Sequence, residues 1–135
     1  MRLNKKLSQL IERERVCRVA TVSAEGVPHL VPVCSVLQDG KIYFGSGRDG
    51  RKVKNIEANG RCTVTVDLYT EEWDSLRGVM VQGQAALIAK GPRFRRARTL
   101  LYRKYSQYES DAGLDEKDSV IIEVTPTSVF SWGFE

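Results

Sequence analysis

The chain has 135 residues with 21 Lys and Arg against 17 Asp and Glu, a formal charge of +4, and 41 % hydrophobic residues. That balance is close to the average for soluble globular proteins, and the length argues for a single domain over residues 1–135. The longest apolar run is five residues, 85–89, far short of the roughly 18 that a membrane span needs. The opening segment mixes Arg2, Lys5, Lys6 and Glu12 with its leucines, which is not the pattern of a secretory leader. A cytoplasmic protein with no membrane partner is the expectation.

In chain order, residues 3–14 carry Leu3, Leu7, Leu10 and Ile11 on one helical face. A β-like stretch, 16–22, leads through Ser23-Ala24-Glu25-Gly26 into a second, 27–37. Asp39-Gly40 is a hairpin signal before a strand at 41–44. A short helix over 49–58 ends at Asn59-Gly60, a good C-terminal stop. Residues 61–68 alternate, with Cys62, Val64, Val66 and Leu68 on one face. A long strand follows at 76–89, bent at Gly83, then a helix over 92–105 whose Phe94, Ala97, Leu101 and Tyr105 form one stripe. The last strand is 119–132. Six strand regions and three helices in so short a chain predict a mainly β fold, a small antiparallel barrel with flanking helices. Pro28 and Pro32 lie four apart in one strand, so their missing N–H groups face one side, which predicts an edge, bulge or seam with a groove beside it.

The three cysteines, Cys17, Cys34 and Cys62, sit far apart in apolar runs, with His29 the sole histidine. That set predicts core thiols and no metal site. His29 has no identifiable partner and reads as a structural or rim residue. Trp73, among Glu71, Glu72 and Asp74, reads as a lid, a dimer contact or a loop anchor. Residues 90–104 carry seven basic side chains and no acid, and 109–118 carry five acids. The acidic stretch argues against nucleic-acid binding and favours a solvated, partly neutralised helix face, which could also guide the acidic tail of a cofactor.

The most informative stretch is Phe44-Gly45-Ser46-Gly47-Arg48-Asp49-Gly50-Arg51-Lys52. A strand ends, a glycine-rich loop follows, and a helix begins with two cations where the helix already carries about half a positive charge. An anion at that place would explain the reversed pattern, with backbone N–H groups, Ser46, Arg51 and Lys52 converging on a phosphate and Gly45 letting the backbone approach. The other reading, a surface turn capped by Asp49, stays open on the spacing alone.

Val31-Pro32-Val33-Cys34, then residues 39–44, Gly50-Arg51-Lys52 with Asn55-Ile56, the strand 61–68, residues 76–83 and Val129-Phe130-Ser131-Trp132 together resemble the pyridoxamine 5'-phosphate oxidase-like, FMN-binding split-barrel family. The resemblance covers nearly all of the chain from Arg15 onward. It implies a six-stranded antiparallel split β-barrel with flanking helices, in its short single-domain branch. It also implies a homodimer with FMN at the subunit interface and hydride transfer to or from a small-molecule substrate. Ser46, Arg51 and Lys52 would hold the phosphate, with Gly45 beside them. The backbone of Val31, Pro32, Val33 and Cys34 would lie along the ring, and Trp132 would reach it from the partner. Two departures bear on activity: Gly78 stands where the oxidase has a flavin-contacting glutamine, and the sequence stops at Glu135, before the oxidase's segment for pyridoxal phosphate. Both argue against pyridoxamine phosphate as substrate. The deazaflavin coenzyme F420 is the alternative cofactor, and a non-catalytic flavin-, haem- or nucleic-acid-binding barrel the alternative role. No side chain is identified as catalytic.

Overall fold

The computed structural model describes residues 3–134; Met1, Arg2 and Glu135, used above at the two ends, lie outside them. Helix α1 (Lys5–Arg13) starts at Asn4, whose side chain accepts a 2.9 Å hydrogen bond from the Leu7 amide. It buries Leu7, Leu10 and Ile11 of the stripe read from the sequence, while Leu3 precedes the helix and is half-buried. Strands β1 (Cys17–Val22) and β2 (Pro28–Val33) pair as a hairpin. Strands β3 (Ser35–Gln38) and β4 (Lys41–Gly47) form another, joined by Asp39-Gly40 with both φ values positive, the conformation an Asp-Gly turn favours. Helix α2 (Arg51–Asn59) ends on Gly60 in the left-handed region, φ 71°. Strands β5 (Arg61–Leu68), β6 (Arg77–Ile88) and β7 (Ser119–Trp132) complete the sheet. Helices α3 (Pro92–Lys104) and α4 (Tyr108–Asp111) lie between the last two strands.

All seven strands belong to one antiparallel sheet in the order β2-β1-β5-β6-β7-β4-β3. This is the expected split barrel with one strand more than predicted. Residues 27–37 are two strands because the chain changes partner at Cys34, from β1 on one edge of the sheet to β4 on the other. The barrel is therefore joined by covalent continuity through Cys34 where hydrogen bonds would otherwise close it. The bend expected at Gly83 is a register shift in the β6–β7 pairing. A Cβ there would stand 2.5 Å from the Thr125 carbonyl oxygen, so only glycine fits.

Two cores hold the fold. The barrel interior contains Val19, Ile42, Phe44, Val64, Val79, Val81, Ile122 and Val124 beneath α1 and α2. The second core lies between the outer face of β3, β4 and β7 and α3, where Phe94, Ala97, Leu101 and Tyr105 are buried as the sequence stripe predicted. Residues 120–124 are buried on both faces, which is why their sequence lacks alternation. Burying Phe94, Leu101 and Ile121 contributes on the order of 1.5–3 kcal/mol each.

Candidate functional site

The β3–β4 pairing ends at Ser35 opposite Phe44, while β4 continues against β7 as far as Gly47 opposite Ser119. Residues 45–47 thus have a free edge on the side where β2 swings away to pair with β1. β2 itself is an edge strand, as Pro28 and Pro32 predicted. These two open edges diverge from Cys34 and define the seam. Along β2, Leu30 and Pro32 are exposed, and His29, Val31 and Val33 are half-buried on the other face.

The seam runs toward the start of α2. Gly50, not Asp49, is the N-cap, and no side chain caps this helix. The first-turn amides are the orphan donors every helix presents. The first turn holds no acid to answer the positive end of the dipole, and Asp49, just before the N-cap, makes no side-chain cap. Ser46 is buried beside this turn. Its hydroxyl donates to the Gly47 carbonyl at 3.1 Å, and a Cβ on Gly50 would stand 3.1 Å from its Oγ. Arg48 fixes the loop: its amide donates to the Asp118 carbonyl at 2.8 Å and its guanidinium to the Glu116 carbonyl. Lys52 is half-buried, and burial lowers its pKa. Among the described residues, neither Lys52 nor the exposed Arg51 forms an ion pair. The strand end and helix start thus hold glycines, first-turn amides, a hydroxyl and two cations without an ion pair among the described residues, groups of the chemical kind that bind phosphate.

Ser46, Arg51 and Lys52 are thus brought together, with Gly45 on the same strand end, while Val31, Pro32, Val33 and Cys34 form one border of the seam. Gly45 has a separate packing role, because a Cβ there would meet Leu114 Cδ2 at 2.8 Å. Trp132 is elsewhere. It pairs with Gly78 at one end of β7, and Ser119, the neighbour of Gly47, is at the other; 13 residue steps at about 3.3 Å each make roughly 43 Å of strand path between them. Its indole lies directly over Gly78, where a Cβ would come within 2.3 Å of Trp132 Cζ2. The glycine at position 78 and the place of the tryptophan are one coupled feature.

Among the described residues no cluster of potential metal ligands occurs, and no helix is long and apolar enough to cross a membrane. Cys17 and Cys62 are buried and burial raises both thiol pKa values, that of Cys62 to about 12. His29 Nδ1 is buried without a hydrogen-bond partner. Trp73 is 71 % exposed and its indole N–H donates to the Tyr69 hydroxyl at 3.3 Å. On α3, Arg95 pairs with Glu116 of the acidic stretch at 3.7 Å, Arg96 with Asp39 at 3.9 Å, and Arg98 donates to the Leu114 carbonyl. The basic face is partly neutralised, as its charge pattern suggested.

Sequence reasoning missed two features. One is Glu123, a buried carboxylate that accepts from the Tyr43 hydroxyl at 2.7 Å and from Arg93 at 2.9 Å, with Lys41 at 3.9 Å. The other is a cavity where the β2–β3 junction meets the corner between α3 and α4. The three-residue spacing of Tyr102, Tyr105 and Tyr108 was the available signal for the latter.

The antiparallel split barrel defines a class, and the comparison with known families agrees with it. The model described as pyridoxamine 5'-phosphate oxidase matches residues 3–133, and the chain belongs to that family. A curated relative, the 5a,11a-dehydrotetracycline/5a,11a-dehydrooxytetracycline reductase of Streptomyces rimosus, is 31 % identical over 124 residues, covering 87 % of this chain and 74 % of the relative. Among solved structures, a conserved hypothetical protein of Mycobacterium tuberculosis superposes with a TM-score of 0.82 at 17 % identity, over 98 % of this chain and 85 % of that one. The heme storage protein HutZ of Vibrio cholerae gives 0.79 at 14 % identity over 96 % and 94 %. An F420 reductase gives 0.76 at 22 % identity over 95 % and 98 %. At these identities the structures share the fold.

Proposed function

We propose that the protein is an FMN-binding oxidoreductase that works as a homodimer with one cofactor in each seam. The observation that carries this reading is the uncapped, acid-free start of α2 with the half-buried, unpaired Lys52. When bound, the cofactor supplies hydride transfer through its ring, and the protein supplies binding and orientation. Arg51 and Lys52 hold the phosphate, and Ser46 turns its hydroxyl from the Gly47 carbonyl toward it. The backbone of Val31, Pro32, Val33 and Cys34 supports the flat ring. Trp132 completes the site from the second copy, since in its own chain it stands at the far end of β7. The exposed Leu30, Phe130 and Val27 supply apolar surface for that contact.

The test is titration of the purified protein with FMN, followed by absorption and fluorescence. Charge-assisted bonds are worth about 1.5–3 kcal/mol each, so Arg51→Ala with Lys52→Ala is expected to weaken FMN binding by on the order of a hundredfold or more. The unfolding transition should be retained. Unchanged affinity in the double variant would overturn the phosphate assignment.

Coenzyme F420 in the same seam is the second reading, and one feature favours it. Lys6, Arg13 and Arg77 surround a cavity of about 330 Å³ that is also lined by Gly133, and among the described residues no acid lines it. Gly133 follows Trp132, so the subunit that lends its tryptophan to a ring brings these cations with it, and an acidic tail would suit them. Binding of F420 but not FMN, with the cofactor identified by mass, would select this reading.

A further inference from the structure

The cofactor reading names where a ring lies and leaves open what it reacts with. A cavity of about 480 Å³ adjoins Cys34, the last residue of the ring's backbone support. That volume is in the range of small-molecule sites. Its wall is mostly apolar and aromatic, supplied by Val16, Cys34, Tyr105, Tyr108 and Ala112, with Arg15, Gln107 and Asp111 completing it. The tyrosines are fixed by one another. Tyr105 and Tyr108 meet edge to face at 6.0 Å, and Tyr102 stacks on Tyr108 at 5.7 Å. The Tyr105 hydroxyl donates to the Arg15 carbonyl at 2.7 Å and accepts from the Ser35 amide at 3.1 Å, so it is committed to the backbone. Burial, with Cys34 as neighbour, pushes the Tyr108 phenol up to about 12, which keeps it neutral.

The charges that line the cavity are not arranged for an anion. The Arg15 guanidinium lies 4.4 Å from the centre of the Tyr105 ring and donates to the Lys104 carbonyl. The other charged lining residue is Asp111, a carboxylate. A phosphate or carboxylate entering here would meet one engaged cation and one repelling acid, whereas an uncharged aromatic would meet rings, a thiol and a methyl group.

We propose that this cavity receives the substrate and that the substrate is a neutral, planar, apolar molecule. The proposal rests on the reading that residues 31–34 support the cofactor ring, because Cys34 belongs to both places. Cys34 also provides the readout, since it is half-buried while Cys17 and Cys62 are buried.

The experiment follows iodoacetamide alkylation of Cys34 by intact mass, with and without saturating FMN, in the presence of 2-naphthol or 2-naphthoate. These are flat probes of matched size, neutral and anionic at pH 7. The expected result is that 2-naphthol slows alkylation at least tenfold in both states, and that 2-naphthoate needs at least tenfold more to match it. Ala112→Phe, a filling change at an exposed position, should weaken the 2-naphthol effect at least tenfold, and Arg51→Ala with Lys52→Ala should leave it unchanged. Protection by 2-naphthoate equal to that by 2-naphthol would overturn the neutral class, and protection by neither would overturn the pocket. Displacement of 2-naphthol by FMN would overturn it too, making the cavity the ring's own seat. If FMN fails to bind while 2-naphthol still protects, the cofactor reading falls and the ligand class of the cavity stands.

Discussion

Two basic clusters lie at opposite ends of the β4–β7 pairing, and they differ in what answers their charge. At one end Arg93 and Lys41 converge with the Tyr43 hydroxyl on Glu123, a carboxylate only 7 % exposed. At the other end Arg51 and Lys52 stand at a helix start with no acid in the first turn and no side-chain cap. The first cluster is closed within the chain and fastens α3 to the sheet. The second is left open, with a lysine whose charge is disfavoured by its own burial. Equal counts of cations therefore differ in their surroundings, and the presence or absence of an internal acceptor is the difference on which the proposed recognition role of Arg51 and Lys52 rests.

The comparison can be broken most directly at Glu123. Glu123→Ala removes the acceptor of the half-buried Tyr43 hydroxyl and of Arg93, and hydrogen bonds to a charged group are worth about 1.5–3 kcal/mol. The expected outcome is a loss of that size in denaturant unfolding, with FMN affinity unchanged. Loss of FMN affinity in step with stability would mean that the two clusters are coupled.

The same residue sets a pH dependence. Burial raises the Glu123 pKa, but hydrogen bonds from Tyr43 and Arg93 and the nearby positive charges outweigh it, so the net shift is downward. A carboxylate with a depressed folded pKa gives stability that is present above its unfolded value and is lost as pH falls through the folded one. Stability curves of wild type and Glu123→Gln should therefore converge below the ordinary carboxylate range and separate above it. A constant gap across that range would remove the charge from the explanation.

The smallest effect sharpens the other side. The Lys52 pKa is lowered in the folded chain, so the unfolded chain holds that proton more firmly, and stability should rise with pH between the folded and unfolded values. Lys52→Met should stabilise the cofactor-free protein by up to about 1 kcal/mol, in keeping with relief of the helix-start charge, and should weaken FMN binding. Thermal unfolding with and without FMN measures both. A variant less stable without cofactor would show that Lys52 is structural after all.

Most of the fold was legible because its determinants are local. The stripe of α3, the alternation of β5, the Asp-Gly turn and the Gly60 stop each act within a few residues. The acid-free helix start was legible for the same reason, since Ser46, Arg51 and Lys52 fall within seven positions. The division of residues 27–37 was not, because a change of pairing partner at Cys34 needs no turn residue and leaves no mark in the sequence. Trp132 over Gly78 is a contact across 54 positions, and the Cys34 cavity joins Val16 to Ala112. Long-range packing of this kind has no periodicity to read. Glu123 was hidden differently, as one polar residue inside an apolar strand whose three partners come from β4 and α3.

The open edge of β2 has one more consequence. A strand with unpaired amides beside exposed Leu30 and Val27 is a template onto which a foreign strand could add without limit. Pro28 and Pro32 withhold two donors along that edge, and an incoming chain cannot complete a ladder across them. The same two residues that keep the seam from zipping shut thus act as gatekeepers against fibrous self-association, so the protein can leave its barrel open without becoming sticky.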